Sequence, residues 1–186
     1  MSVATTQDSP GSRRVALSGV IMLGVLVADQ LSKQLVKTHM TLGESIPLIP
    51  GWVHMTLVRN TGMAFGLLSG TDLPYKTWLV SGLAIVAMVA VAVYALRAPD
   101  HEAVTRFGLM FILGGAVGNI IDRVRLGYVV DFIDVFYKGA HWPAFNVADA
   151  SICVGVGLLL LDSFRQNAVK RSATLEATTE TSGGEP

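Results

Sequence analysis

The chain has 186 residues, of which only 15% are charged, against about 25% in ordinary soluble domains, and its mean hydropathy is +0.51. That is the composition of a membrane protein. Fourteen basic and fourteen acidic residues cancel to a formal net charge of zero, and no basic stripe breaks that balance, which argues against a nucleic-acid partner.

A spanning helix needs about 20 mostly apolar residues, and four segments qualify. The first runs from Val15 to about Leu35, its uncharged part ending at Ala28. Arg13 and Arg14 ahead of it resemble the start of a secretory signal, but the helical pattern continues through Asp29 and Lys33, so a retained span is expected. Downstream of Pro47, Pro50 and Gly51, the stretch "WVHMTLVRN" (Trp52 to Asn60) alternates as a strand does and predicts a small sheet. Asn60 and Gly62 in "RNTGMAFG" read as a tight turn.

The second span covers Trp78 to Leu96 and contains no charge until Arg97. The third, Phe107 to Ile121, carries Gly114 and Gly118 as a G-x-x-x-G step, for which close helix packing is sufficient explanation. The fourth spans about Ala144 to Leu161, with Pro143 suited to a helix entry. Gly70 to Lys76 and Arg97 to Arg106 are polar connections, and the tail from Ser172 has the composition of disorder. Cys153 is the single cysteine; a disulfide within the chain is excluded, and its apolar setting predicts a buried core thiol.

Four spans put both termini on one side and the connections Val36 to Lys76 and Arg123 to Pro143 together on the other. Asp29 and Lys33 close the first span, Asn119 and Asp122 the third, while Asn146 and Asp149 open the fourth, so all three pairs fall at one membrane face. Spacings of three or four residues place each pair on one side of its helix. The basic residues divide evenly between the two faces, and only Arg13–Arg14 and Lys170–Arg171 lean toward cytoplasmic termini.

Ionisable groups in a span are costly, so they pair, line a wet cavity or work. An ion pair suffices for Asp29 with Lys33, as does an Asp122–Arg123 pair at the end of the third span. Interhelical hydrogen bonds suffice for Asn119 and Asn146. Two acidic positions ask for more: the short "YVVDFIDVF" connection, with Asp131 and Asp134, and Asp149 one turn inside the fourth span. Two carboxyls meeting at a bundle mouth would hold one proton between them and could activate water. Composition gives no reason to prefer Asp131 over Asp134.

Five blocks in order, "DQLSK" (Asp29 to Lys33), "RNTGMAFGLL" (Arg59 to Leu68), "GGAVGNIIDR" (Gly114 to Arg123), "VVDFIDV" (Val129 to Val135) and "FNVADASI" (Phe145 to Ile152), make the chain resemble the lipoprotein signal peptidases, or signal peptidase II family. The resemblance implies an all-α integral membrane fold with four transmembrane helices and a small β-sheet subdomain on the outer membrane surface. It divides the chain into a cytoplasmic segment at 1–14, a peptidase domain at 15–165 with an extracytoplasmic β subdomain at 41–70, and a flexible cytoplasmic tail at 166–186.

The activity it implies is aspartyl endopeptidase cleavage of diacylglyceryl-modified bacterial prolipoproteins, just before the lipidated cysteine. The catalytic pair carries over to Asp131 and Asp149, and the supporting set to Asp29, Lys33, Asn60, Gly62, Asn119, Asp122, Arg123 and Asn146. It implies a multi-pass protein of the bacterial inner membrane, cytoplasmic termini, a site near the outer leaflet, membrane lipid as partner and globomycin as inhibitor. Met63 departs from the small residue expected there. No cofactor is implied, and the scattered histidines offer no H-E-x-x-H zinc signature and no serine lies in a nucleophile elbow. A transporter would also carry intramembrane acids, but it needs stepping stones toward the opposite face, and these gather at one.

Overall fold

The computed structural model describes residues 10–62, 75–98 and 102–182; Met63, Pro74, Pro99 and the rest of the connections Gly70 to Lys76 and Arg97 to Arg106 fall wholly or partly outside them. Four long helices, α1 (Pro10–His39), α2 (Lys76–Arg97), α3 (Ala103–Leu126) and α4 (Val147–Ser182), are each long and apolar enough to cross a membrane. Helix α4 runs on to Ser182, through much of the tail whose composition predicts disorder. Alanine, glutamate and leucine in that tail are good helix formers, and a helix already nucleated in the span extends through them at little cost.

Burial is inverted relative to a water-soluble bundle. Leu23, Leu31 and Leu35 of α1 and Leu79, Leu83 and Val86 of α2 are exposed, as lipid-facing side chains are. The buried stripe toward the end of α1 is instead Asp29, Lys33 and Val36, continued by Met40 just past the helix, at spacings of four, three and four.

Helix α3 is the central element, packed on α1, α2, α4 and β3. Its glycines permit this. A Cβ on Gly114 would meet Met22 O at 2.9 Å and the Val25 side chain on α1. One on Gly118 would strike the Asp29 carboxylate, and one on Gly115 would strike Ala148 O on α4. Farther along, Gly108 of α3 and Gly155 of α4 sit back to back, each meeting the other's backbone oxygen. Helix α3 ends at Gly127, whose φ of +78° is the left-handed cap that turns the chain into the next strand.

The two connections build one antiparallel sheet, β1 (Ser45–Ile49), β2 (Val53–Asn60), β3 (Val129–Tyr137) and β4 (Ala140–His141), in the order β1-β2-β3-β4. The sheet is therefore not confined to residues 41–70: half its strands come from the connection between α3 and α4. In sequence that connection lacks the alternation that marks β2, because β3 is buried at its start and is not a one-sided strand. Val130 and Phe132 pack with Leu57 on Val36 and Met40, at the end of α1. Asp131, between them in a strand of period two, projects from the other face with Val129.

Packing of α3 on α4 through glycine backbone sets a stability prediction. Gly155→Leu forces the helices apart and lowers stability in detergent by about 1–3 kcal/mol or more, read as a fall in Tm. Gly157→Ala, at a glycine with open space around it, leaves Tm unchanged within about 0.5 kcal/mol.

Candidate active site

The site begins with a buried ammonium. Lys33 Nζ lies 2.9 Å from Asp29 Oδ2 and 3.1 Å from Asp122 Oδ2, and donates at 2.9 Å to Asn119 Oδ1. All three protons of the ammonium thus have an acceptor, which makes a cation on a membrane helix tolerable when it is almost wholly buried. Asp122 takes Lys33 as its ion-pair partner instead of its neighbour Arg123. Adjacent residues on a helix point about 100° apart and do not face each other. Arg123 reaches across to donate to Gly62 O at 3.3 Å and to Asn119 O at 3.5 Å.

Asn119 links the ammonium to the first carboxylate, its Nδ2 donating to Asp149 Oδ1 at 2.8 Å. Asn146 lies one residue before α4 and caps it: its Oδ1 accepts the Asp149 N–H at 2.9 Å, and Asp149 Oδ2 returns toward the Asn146 N–H at 3.4 Å. The sequence pairs Asn146 and Asp149 as helical neighbours, and the structure makes them cap and third residue. Pro143 accordingly sits in the approach to the helix and not at its first position. Because the cap consumes Oδ1, the Asn146 Nδ2 is turned away from the helix, where it donates at 2.7 Å to Asp131 Oδ1 and at 3.2 Å to Asn119 Oδ1 and Val130 O.

On the sheet side Asn60 Nδ2 donates to Asp131 Oδ2 at 2.9 Å, while Asn60 Oδ1 accepts the Gly62 N–H at 2.9 Å. The tight turn read from the sequence is thus present, and it aims the amide at Asp131. Asp131 and Asp149 are joined by two carboxamides, Asn146 and Asn119. Burial, and then the charge of Asp149, push the Asp131 carboxyl up to about 7, against the amides of Asn60 and Asn146 and the charge of Lys33.

Asp134, three residues on, belongs elsewhere. It pairs with His141 Nδ1 at 2.9 Å on the sheet surface, a contact invisible in sequence because β3 and β4 must fold back for it to form. Register makes the difference: Asp131 stands opposite Val58, and Asp134 opposite His54.

Asp149, Asn60, Asn119 and Arg123 line the polar end of a cavity of about 680 Å³ between α2, α3 and α4. Its remaining wall is largely apolar, including Leu83, Ala87 and Met88 of α2 and Phe145. Cys153 also lines it and is exposed, contrary to a core thiol. In a membrane span, apolar neighbours mark lipid or cavity as readily as core. All ten predicted site residues therefore converge on one cluster. Sequence reasoning missed Gln30, whose Nε2 donates to Asp29 Oδ2, Gly118 O and Asp122 Oδ1 at 3.1–3.2 Å. Its only sequence signal is adjacency to Asp29. Among the described residues no group of three or more histidine, cysteine, aspartate or glutamate side chains could hold a metal ion.

Residues 21–165 match the family model for signal peptidase (SPase) II. The chain belongs to the signal peptidase II family. It is 49% identical to the lipoprotein signal peptidase of Geobacter metallireducens over 140 residues, covering 75% of this chain and 85% of that one. With the lipoprotein signal peptidase of Geobacter sulfurreducens it shares 45% identity over 150 residues, 81% and 92% of the two chains. A bacterial membrane enzyme solved by the in meso method at 2.3 Å resolution superposes with a TM-score of 0.75 at 32% identity, over 84% of this chain and 92% of that one. The fold is therefore that of a multi-pass membrane enzyme, a protease of the signal peptidase II family.

The ammonium cluster makes a stability prediction. Lys33→Met leaves Asp29 and Asp122 without their cation and lowers stability by roughly 3–5 kcal/mol, seen as a large fall in detergent Tm. Lys37→Met, at an exposed position one turn on, leaves Tm nearly unchanged.

Proposed function

We propose that this protein removes the signal peptide from diacylglyceryl-modified bacterial prolipoproteins, cutting just before the lipidated cysteine, with Asp131 and Asp149 as the catalytic pair. The observation that carries this reading is the linkage of those two carboxyls through the amides of Asn146 and Asn119, with Asp149 lining the polar end of an apolar cavity. One shared proton leaves one carboxylate to take a proton from water while its partner donates to the scissile carbonyl oxygen and then to the leaving amine. No covalent intermediate is needed. Asn119, Asn146 and Asn60 hold the carboxyls in place; Asp29, Lys33 and Asp122 carry the framework behind them. Arg123 and Gly62 lie where the peptide enters.

The cavity suits the substrate. Its walls on α2, α3 and α4 provide apolar surface for acyl chains that must stay in the bilayer, so the scissile bond arrives sideways from lipid. Tyr75 and Trp78 at the start of α2 and Trp52 and Tyr137 on the sheet are exposed at the end of the bundle that holds the site, as expected of an aromatic belt at a membrane–water interface. Basic pairs Arg13–Arg14 and Lys170–Arg171 at the opposite end favour cytoplasmic termini. The reading is therefore a bacterial inner-membrane protein with its site near the outer leaflet, inhibited by globomycin. Strand addition by the substrate is less favoured by the sheet: its long open edge is β1, two strands away from Asp131.

Purified protein is expected to cleave a diacylglyceryl-modified lipobox peptide and leave its unlipidated twin intact, globomycin blocking the reaction. Equal cleavage of both would overturn the substrate assignment. Asp131→Asn and Asp149→Asn each lower the rate by at least about a thousandfold while the protein still accumulates in the membrane. The pH dependence has a definite sign. Activity falls on the alkaline side near pH 7, as the pair loses its proton. Since the folded-state value lies above the ordinary 3.8, ionisation of Asp131 disfavours the fold. Its stabilising effect is complete below 3.8 and lost as pH rises to 7, and Asp131→Asn removes that slope.

A further inference from the structure

Behind the two aspartates the hydrogen bonds form a symmetrical frame. Asp29 Oδ1 accepts the backbone N–H of Ala148 at 3.0 Å, and Asp122 Oδ2 accepts the backbone N–H of Val130 at 3.1 Å. Ala148 immediately precedes Asp149, and Val130 immediately precedes Asp131. Each buried acid thus grips the backbone one residue upstream of one member of the pair. The two acids come from different helices, α1 and α3, and two side chains of α1 tie them together. Lys33 binds both from one side at 2.9 and 3.1 Å. Gln30 Nε2 bridges both from the other, at 3.1 Å to Asp29 Oδ2 and 3.2 Å to Asp122 Oδ1, and adds Gly118 O at 3.2 Å. A Cβ at position 118 would occupy the place of the Asp29 carboxylate, so the frame has no slack on that side.

From this arrangement we infer that Gln30 is a positioning residue: with Lys33 it clamps Asp29 to Asp122 and thereby fixes the separation of Asp131 and Asp149. The inference rests on the aspartyl reading above and adds a residue to it. Lys33 supplies the charge that makes the frame possible, but its ammonium meets each carboxylate through a single oxygen. Gln30 supplies a second, neutral bridge, and two bridges between the same two groups define a spacing. Gln30 is half-buried and lines a small polar cleft of about 40 Å³ beside Lys33 and Asp122, so replacing it does not open the core.

Asp131 feels the charges of Lys33 on α1, Arg123 on α3 and Asp149 on α4, and it accepts from the neutral Asn60 of β2 and Asn146 ahead of α4. Of these, the charge of Asp149 is the one that raises its pKa, after burial itself. If the pair drifts apart, that repulsion weakens and the shared proton is held less tightly.

The test uses the full-length protein in detergent or bilayer with the lipidated peptide. In Gln30→Met the expected result is a fall in kcat of roughly ten- to a hundredfold with KM nearly unchanged, and an alkaline limb of the pH–rate profile moved to lower pH. Gln34→Met is the control: Gln34 lines the same cleft, but among the described residues its side chain bonds Thr38 on its own helix, and it keeps wild-type kcat and pH profile. Gln30→Ala is run in parallel, so the comparison stands on whichever variant accumulates. A Gln30 variant with wild-type kcat, or one whose kcat falls with the pH limb unmoved and in step with Tm, overturns the proposal. Failure of the underlying reading looks different: wild-type protein without an alkaline limb, or an Asp131→Asn variant that still cleaves.

Discussion

A lysine ammonium has been taken out of contact with water at the end of a membrane helix, and the arrangement around Lys33 follows from that constraint. Lipid offers no acceptor, so its three protons must be met by protein: Asp29 one turn back on α1, and Asp122 and Asn119 on α3. Satisfying them fixes α1 against α3, and the glycines at 114 and 118 let the two backbones come close enough to do so. The same three groups then reach on to other elements: Asp29 accepts from the Ala148 N–H of α4, Asp122 from the Val130 N–H of β3, and Asn119 donates to Asp149. A cluster that begins as charge compensation ends as the frame that holds Asp131 and Asp149.

The two aspartates differ in setting although they are linked. Asp131 is buried in a strand and held by an amide on each oxygen. Asp149 lies in the first turn of α4 and opens on the cavity. One is enclosed by protein and the other faces open space. Helix α2, packed on α3, forms one apolar wall of that cavity.

Much of this could be read from sequence because the membrane simplifies the code. Four apolar segments named the helices, and i,i+3 or i,i+4 spacing of Asp29 with Lys33 and Asn119 with Asp122 correctly put each pair on one face. What failed had physical reasons. Charge on adjacent residues suggested an Asp122–Arg123 pair, but helical geometry turns the two side chains apart. An apolar neighbourhood suggested a core for Cys153, which instead faces the cavity. The choice between Asp131 and Asp134 rests on strand register and on a bulge between Met55 and Val58 of β2, neither of which leaves a compositional trace. Gln30 went unnoticed because its partners are distant in sequence and meet only once α1 lies on α3.

The proposed chemistry requires Asp131 and Asp149 to share one proton. Infrared difference spectroscopy of protein labelled with carbon-13 aspartate, titrated across neutral pH, measures it directly. The account predicts a protonated carboxyl band that disappears with a midpoint of about 7 and is absent from both Asp131→Asn and Asp149→Asn. A band that is missing throughout, or one that persists in both variants, would contradict it.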